Sequence, residues 1–148
     1  MTKSIFISLP VADLDKAKAF YTALGFVNEP KFTDETAAAM QWSETIVVML
    51  LTHAKWKGFT TRPIPPKGSS EVALAVMLES RAEVDRLAEV AEAHGGAIDV
   101  NPPEDHGFMY QRTIEDLDGH IWEPVWMDPA TAETGPPNAE AESHERAA

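Results

Sequence analysis

Few residues in this chain have the means to do chemistry, and one stretch concentrates them. In Leu117-Asp-Gly-His-Ile-Trp-Glu-Pro-Val-Trp126 a turn signal is followed by a single carboxylate, Glu123, set among Ile121, Trp122, Val125 and Trp126. A carboxylate buried there without a partner is costly, so the sequence demands a metal ion, a cation, a hydrogen-bond donor or water beside it. On an apolar floor such a group suits general acid/base work or the recognition of a cation. Tyr110 and Arg112, on the preceding strand, share one face with each other. Either can be that partner if their face is the inner one; if it is the outer one, neither can.

The absence of cysteine leaves only His, Asp and Glu to hold a metal. His120 stands three residues from Glu123 and points to the opposite face of a strand, unless a bulge at Pro124 brings the two together. His53 lies just past a strand end, and His106 lies in the loop Pro102-Pro-Glu-Asp-His-Gly107. His94 fits a cation at a helix C-terminus, and His144 falls in the C-terminal segment. No ligand spacing joins these histidines, so a turn or surface residue is the expected reading of His53, His106 and His120 rather than a ligand.

The elements that position these groups come in two copies. Ser4-Ile-Phe-Ile-Ser-Leu9 alternates as a strand, with Phe6 and Ser8 on one face and Ile5, Ile7 and Leu9 on the other. Asp13 is an N-cap, and Leu14, Ala17, Phe20, Tyr21 and Leu24 recur at helical spacing until Gly25. Strands are predicted at Phe32 to Thr33, Ala37 to Trp42 and Thr45 to Leu51. The second copy starts with the strand Val72 to Leu78, which sets Ala73, Ala75 and Met77 opposite Leu74, Val76 and Leu78. A capping box, Ser80-Arg-Ala-Glu83, then opens a helix striped by Val84, Leu87, Ala88 and Ala91. Strands are predicted at Ala97 to Val100, Phe108 to Ile114 and His120 to Trp126, the last two joined by a hairpin at Glu115 to Gly119. The pattern is strand-helix-strand-strand-strand twice over. One domain of residues 1–127 follows: a first module over about 4–52, a linker over 53–70 and a second module over about 71–127.

The pair of segments Leu9-Pro-Val-Ala-Asp-Leu-Asp-Lys-Ala-Lys-Ala-Phe-Tyr-Thr-Ala-Leu-Gly-Phe26 and Asp118-Gly-His-Ile-Trp-Glu123 resembles the vicinal-oxygen-chelate superfamily. That superfamily includes glyoxalase I (lactoylglutathione lyase), bleomycin and fosfomycin resistance proteins and extradiol dioxygenases. The resemblance covers Ser4 to about Met127 and implies an α+β fold of two βαβββ modules forming an open, cup-shaped mixed sheet. It also implies a homodimer. Metal-dependent members carry ligands on the first and last strand of each module, and matching those positions here gives Phe6, Ala73 and Glu123, while in the last strand of the first module the inner-facing candidates are apolar apart from Thr45, with Met49 the nearest to the ligand position. Of these only Glu123 is a ligand for a hard or borderline divalent ion, and one carboxylate cannot hold such an ion alone.

The expected cup lining is therefore Phe6, Ser8, Met49, Ala73, Met77, Tyr110 and Arg112, with Glu123 as the catalytic candidate and no metal. The linker adds Trp56. Residues 53–68 hold four of the twelve basic residues, Lys55, Lys57, Arg62 and Lys67, and no acid. Such a segment can draw in an anionic ligand beneath Trp56 and Phe59, or it can be a solvated connection with two docked aromatics. Residues 128–148 carry five acids against one Arg and read as a disordered acidic tail.

A net charge of −12 argues against nucleic acid, and the absence of an apolar run of about 20 residues argues against a membrane span. The expected location is cytoplasmic. Three functions compete: a protein that binds a small, mostly apolar organic molecule in the cup without a metal, a divalent-metal lyase, isomerase or dioxygenase, and a non-catalytic scaffold with its cup packed shut. Metal analysis separates the first two and a ligand screen separates the first from the third.

Overall fold

The computed structural model describes residues 2–137. Alternating side chains set β1 (Ile5–Val11), and Asp13 then caps α1 (Leu14–Ala23) by accepting from the Lys16 amide at 3.0 Å. The helix ends at Gly25, whose φ of +105° suits glycine far better than residues carrying a Cβ. Next come β2 (Val27–Glu29), a 3-10 turn over Pro30–Phe32, β3 (Ala37–Ser43) and β4 (Ile46–Thr52). The strand expected at Phe32 to Thr33 is thus this turn. Pro30 fixes φ and lacks an amide hydrogen, so the pairing segment is the one before it.

The linker is not a plain connection. Thr52 accepts from the Lys55 amide at 3.1 Å and starts α2 (His53–Phe59). The second module follows as β5 (Ala73–Leu78), α3 (Arg81–Ala93), β6 (Ala97–Ile98), β7 (Glu104–Asp105), β8 (Met109–Gln111), β9 (Ile114–Glu115) and β10 (Ile121–Met127). Half of the expected capping box forms: Ser80 accepts from the Glu83 amide, while the Glu83 side chain turns to Arg86. The acidic segment does not lose structure at residue 128. Pro129 opens α4 (Pro129–Thr134), with Thr131 buried, and residues 138–148 lie outside the described residues.

Each module makes a mixed sheet in which its first strand lies parallel to its last. The first sheet runs β1-β4-β3-β2, and in the second β10 lies between β5 and the β8/β9 side, with β6 beyond β9 and β7 beyond β8. The expected single strand over 108–114 is split for a local reason. The Arg112 amide donates to the Pro124 carbonyl at 3.1 Å, and Pro124 has no hydrogen with which to return the bond. Pairings on either side of the gap, Val125 with Gln111 and Trp122 with Ile114, stay in phase. No bulge intervenes, so His120 and Glu123 do not converge.

One core joins the modules. Phe20 and Tyr21 of α1 and Leu87, Ala88 and Ala91 of α3 pack with Met40, Val48 and Leu50 of the first sheet and Val76, Ile114 and Trp122 of the second. Tyr21 is the bolt: its hydroxyl donates to Asp116 at 2.5 Å and accepts from the Trp122 indole at 2.9 Å. Burial pushes both the Tyr21 phenol and the Asp116 carboxyl up in pKa. With the helix-covered faces sharing a core, the opposite, concave faces turn outward.

Candidate functional site

Strand phase decides which residues reach the concave faces. Leu9, Val11, Leu74, Val76 and Leu78 pack into the core, so Phe6 and Ser8 on β1 and Ala73, Ala75 and Met77 on β5 face the other way. Phe6 is 59% and Met77 56% exposed. Met49 stands on the same face as Ser8, its cross-strand neighbour. Glu123 pairs with Ala75 in register and lies on the concave face of the second sheet.

The partner of Glu123 is Gln111, whose side-chain amide donates to the carboxylate at 2.8 Å. Tyr110 and Arg112 occupy the opposite face, which corrects the expectation that they line the cup. The Tyr110 hydroxyl donates to Asp85 of α3 at 2.7 Å. Arg112 spans Asp85 at 3.0 Å and Asp99 at 2.9 Å, and these bonds raise its pKa. Arg81 stacks over the rings of Tyr110 and Trp126 and grips Asp105 at 2.8 Å, which holds that carboxyl at about 2. These contacts fasten α3 to its sheet and leave the concave face alone.

A cavity of about 460 Å³ opens at the seam between the modules. Its walls are the second half of β1 with Ser8 and Pro10, the start of β5 with Val72 and Leu74, and the turn from Leu117 to Ile121. Its roof is the linker, with His53 and Trp56 on α2 and Ile64, Pro65, Pro66 and Lys67 beyond it. The roof sits tightly. A Cβ at Gly119 would lie 2.8 Å from Cγ of Lys67 and 3.2 Å from its Cα, and Lys67 also reaches Glu115 at 3.6 Å. The turn is tied to β1 as well, because Asp118 accepts from the Ala12 amide at 2.8 Å and His120 Nε2 meets the Pro10 carbonyl at 2.8 Å. A second hollow, of about 410 Å³, adjoins the first past Ala73 and Ile121.

Of the expected ligand residues, Ser8 and Trp56 line the main cavity and Ala73 the second hollow. Phe6, Met49, Met77 and Glu123 line neither. Lys55 stacks on an exposed Phe59, and neither of these nor Lys57 or Arg62 borders the cavity; of the four basic linker residues Lys67 alone does, in the roof. Gln111 was missed because its inward phase follows only once Tyr110 and Arg112 are known to face α3. Among the described residues, no three His, Asp or Glu side chains gather closely enough to hold a metal ion.

The family model for the Glyoxalase/Bleomycin resistance protein/Dioxygenase superfamily matches residues 4–123. The chain belongs to that superfamily. A comparison with curated proteins finds no match. Among solved structures the chain is similar to hypothetical protein SA1046 from S. aureus, with 27% identity over 85% of this chain and 95% of that one and a TM-score of 0.72. A glyoxalase-related enzyme from Fulvimarina pelagi shares 22% identity over 85% and 88% of the two chains, with a TM-score of 0.71. TnmS3, an antibiotic binding protein from Streptomyces sp. CB03234, shares 18% identity over 86% and 97%, with a TM-score of 0.60. The α+β fold of two βαβββ modules is thereby the fold of the superfamily. No helix among the described residues is long and apolar enough to cross a membrane.

Proposed function

We propose that this member of the superfamily binds a small organic molecule without a resident metal ion, as a cytoplasmic homodimer. The observation that carries the reading is the 460 Å³ cavity, walled largely by Leu9, Pro10, Ile64, Val72 and Leu74. That volume and lining suit a drug-sized apolar guest. The antibiotic-binding description of TnmS3 is in keeping with such a role for this fold.

The residues do not fit the divalent ion used by the superfamily's metal-dependent enzymes. Phe6 and Ala73 stand at two of the ligand positions and Met49 nearest to a third, and a phenyl ring, a thioether and a methyl group offer no donor to a hard or borderline cation. Glu123, at the fourth position, already accepts from Gln111. Its role is that of a polar anchor on the concave face, able to accept a hydrogen bond from a ligand or to take up a proton.

Two edge strands favour the dimer. Among the described residues β1 and β5 each pair on one side alone, and exposed apolar side chains accompany them: Ile5 and Phe6 on the first, Val72 and Met77 at the second. Light scattering at micromolar concentration is expected to give about twice the 16.2 kDa chain mass. A mass of one chain refutes the dimer.

The binding function is tested by a thermal-shift screen of organic compounds in metal-depleted buffer. Hits that raise the melting temperature equally with and without added zinc, manganese or nickel support the reading. A screen without hits, or with hits that all need a metal, overturns it.

A further inference from the structure

We infer that the seam cavity takes a neutral, largely apolar molecule carrying a lactam, whose carbonyl and N–H pair with the backbone N–H and C=O of Ser8 on the free edge of β1. This deepens the small-molecule reading and rests on it. The direction of those backbone groups follows from the strand register. The Ile5 amide donates to the Thr45 carbonyl at 2.7 Å, and β1 pairs with β4 without a shift from Ile5 to Val11. Successive residues of a strand turn their N–H and C=O to opposite sides, so Ile5, Ile7, Leu9 and Val11 face β4 while Phe6, Ser8 and Pro10 face the open edge. That edge looks into the seam. His120 Nε2 meets the Pro10 carbonyl at 2.8 Å and the Ala12 amide donates to Asp118 at 2.8 Å, and both partners lie on the turn that walls the cavity. Ile7, Ser8, Leu9 and Pro10 all border the space although their side chains alternate between the faces of the sheet, which places it along the edge of the strand.

Ser8 is the residue of this stretch left to a guest. Pro10 has no amide hydrogen and its carbonyl is taken, whereas among the described residues the N–H and C=O of Ser8 make no hydrogen bond. The two groups point the same way from one extended residue, so an acceptor and a donor placed side by side satisfy both, the exchange that paired strand residues make. A guest that fills the cavity takes water away from Ser8, and one without such a pair leaves two backbone groups unmatched. The remaining lining sets the body of the guest. Leu9, Ile64, Val72 and Leu74 are apolar, Lys67 faces Glu115 at 3.6 Å, and Glu71 and Asp118 border the space, so an anion would meet carboxylates. Ile5 and Phe6, at the exposed start of β1, do not border the cavity, so the guest and the dimer contact call on different parts of the strand.

The test uses isotope-labelled full-length protein and two tricyclic probes of one shape, phenanthridinone and benzocoumarin, a lactam and the lactone with a ring oxygen in place of its N–H. The Ser8 backbone amide resonance, assigned through bonds, is followed in each titration. Before any probe is added, the Ser8 amide is expected to exchange with solvent far faster than those of Ile7 and Leu9, which β4 protects. Binding of either probe should move the Ser8 resonance downfield and slow its exchange. Phenanthridinone should bind about ten-fold tighter, because benzocoumarin sets an oxygen against the Ser8 carbonyl. Ser8→Pro removes the N–H and, on the free edge, breaks no bond to β4; it should weaken both probes about five-fold, the effect of one neutral hydrogen bond. A protected Ser8 amide in the free protein, equal binding of the two probes, a bound phenanthridinone that leaves the resonance unmoved, unchanged affinity in Ser8→Pro, or no binding by either probe overturns the inference. Should Ser8→Pro fail to fold, the wild-type exchange, shifts and affinities decide alone. Compounds from the stability screen that perturb Phe6 and Met77 but not Ser8 would overturn this site and leave small-molecule binding standing.

Discussion

Removing the hydroxyl of Tyr21 tests how the two modules are locked together. The side chain is 1% exposed, and its oxygen sits between a carboxylate acceptor, Asp116, and an indole donor, Trp122. Tyr21→Phe keeps the ring and its edge contacts with Phe26 and Trp122 but leaves both partners buried and unmatched. Losing a hydrogen bond to a charged group costs about 1.5–3 kcal/mol and stranding the indole about 1 more, so a loss of about 3 kcal/mol is expected. For a domain of this length that lowers Tm by about 10 °C. The loss should also depend on pH. Burial raises the Asp116 pKa, so its protonated form is favoured in the folded state, and stability from this group is lost as pH rises through the folded pKa. Without the Tyr21 donor the charged form is held less well still, and the deficit should shrink as the buffer is made mildly acidic. Urea unfolding at neutral and at mildly acidic pH measures both. A loss below about 1 kcal/mol at neutral pH refutes the view that this bolt holds the seam.

Three further outcomes are expected. Arg112→Met should cost only about 1 kcal/mol, since Asp85 and Asp99 are partly exposed, and should leave ligand affinity unchanged because the side chain faces α3; a changed affinity in a titration would contradict that placement. Acid unfolding should begin as the medium falls below the ordinary carboxyl range. Asp105, held at about 2 by the Arg81 hydrogen bond, and Asp85, lowered chiefly by the Tyr110 hydroxyl, contribute stability above that range and lose it as they protonate. Arg81→Ala should flatten this acid limb, as a pH series of melting curves would show. Gln111→Leu should change stability by less than about 1 kcal/mol, because Glu123 is half-buried and can turn to water, while altering the binding of any ligand on the concave face; unchanged binding of a ligand mapped there would count against Glu123 as its anchor.

Much of the fold was legible because it is encoded locally. Asp13 and Ser80 cap the helices whose starts they mark in the sequence, and the alternation of β1 and β5 sorts core from concave face. What a period of two cannot supply is its own phase. Tyr110 and Arg112 share a face either way, and only Asp85 and Asp99, brought in by α3 and the chain beyond it, decide which. The helix in the linker has its cap in Thr52 but spans only 7 residues before a basic and proline-rich run, too few to carry a helical stripe. The knot of Tyr21, Asp116 and Trp122 joins residues nearly a hundred positions apart and carries no local signature. The cavity is of the same kind. Its walls come from both modules and its roof from the linker, so composition points to Trp56 but not to the space it covers.

The claim most open to a single test is that this member of the superfamily has given up the metal ligands and kept only Glu123. Elemental analysis of protein purified without chelator measures it directly. Zinc, nickel, manganese and iron are all expected far below one ion per chain, in the wild type and in Glu123→Gln alike. About one ion per chain in the wild type, lost in Glu123→Gln, would contradict it and point to a divalent-metal enzyme whose remaining ligands come from outside the matched positions.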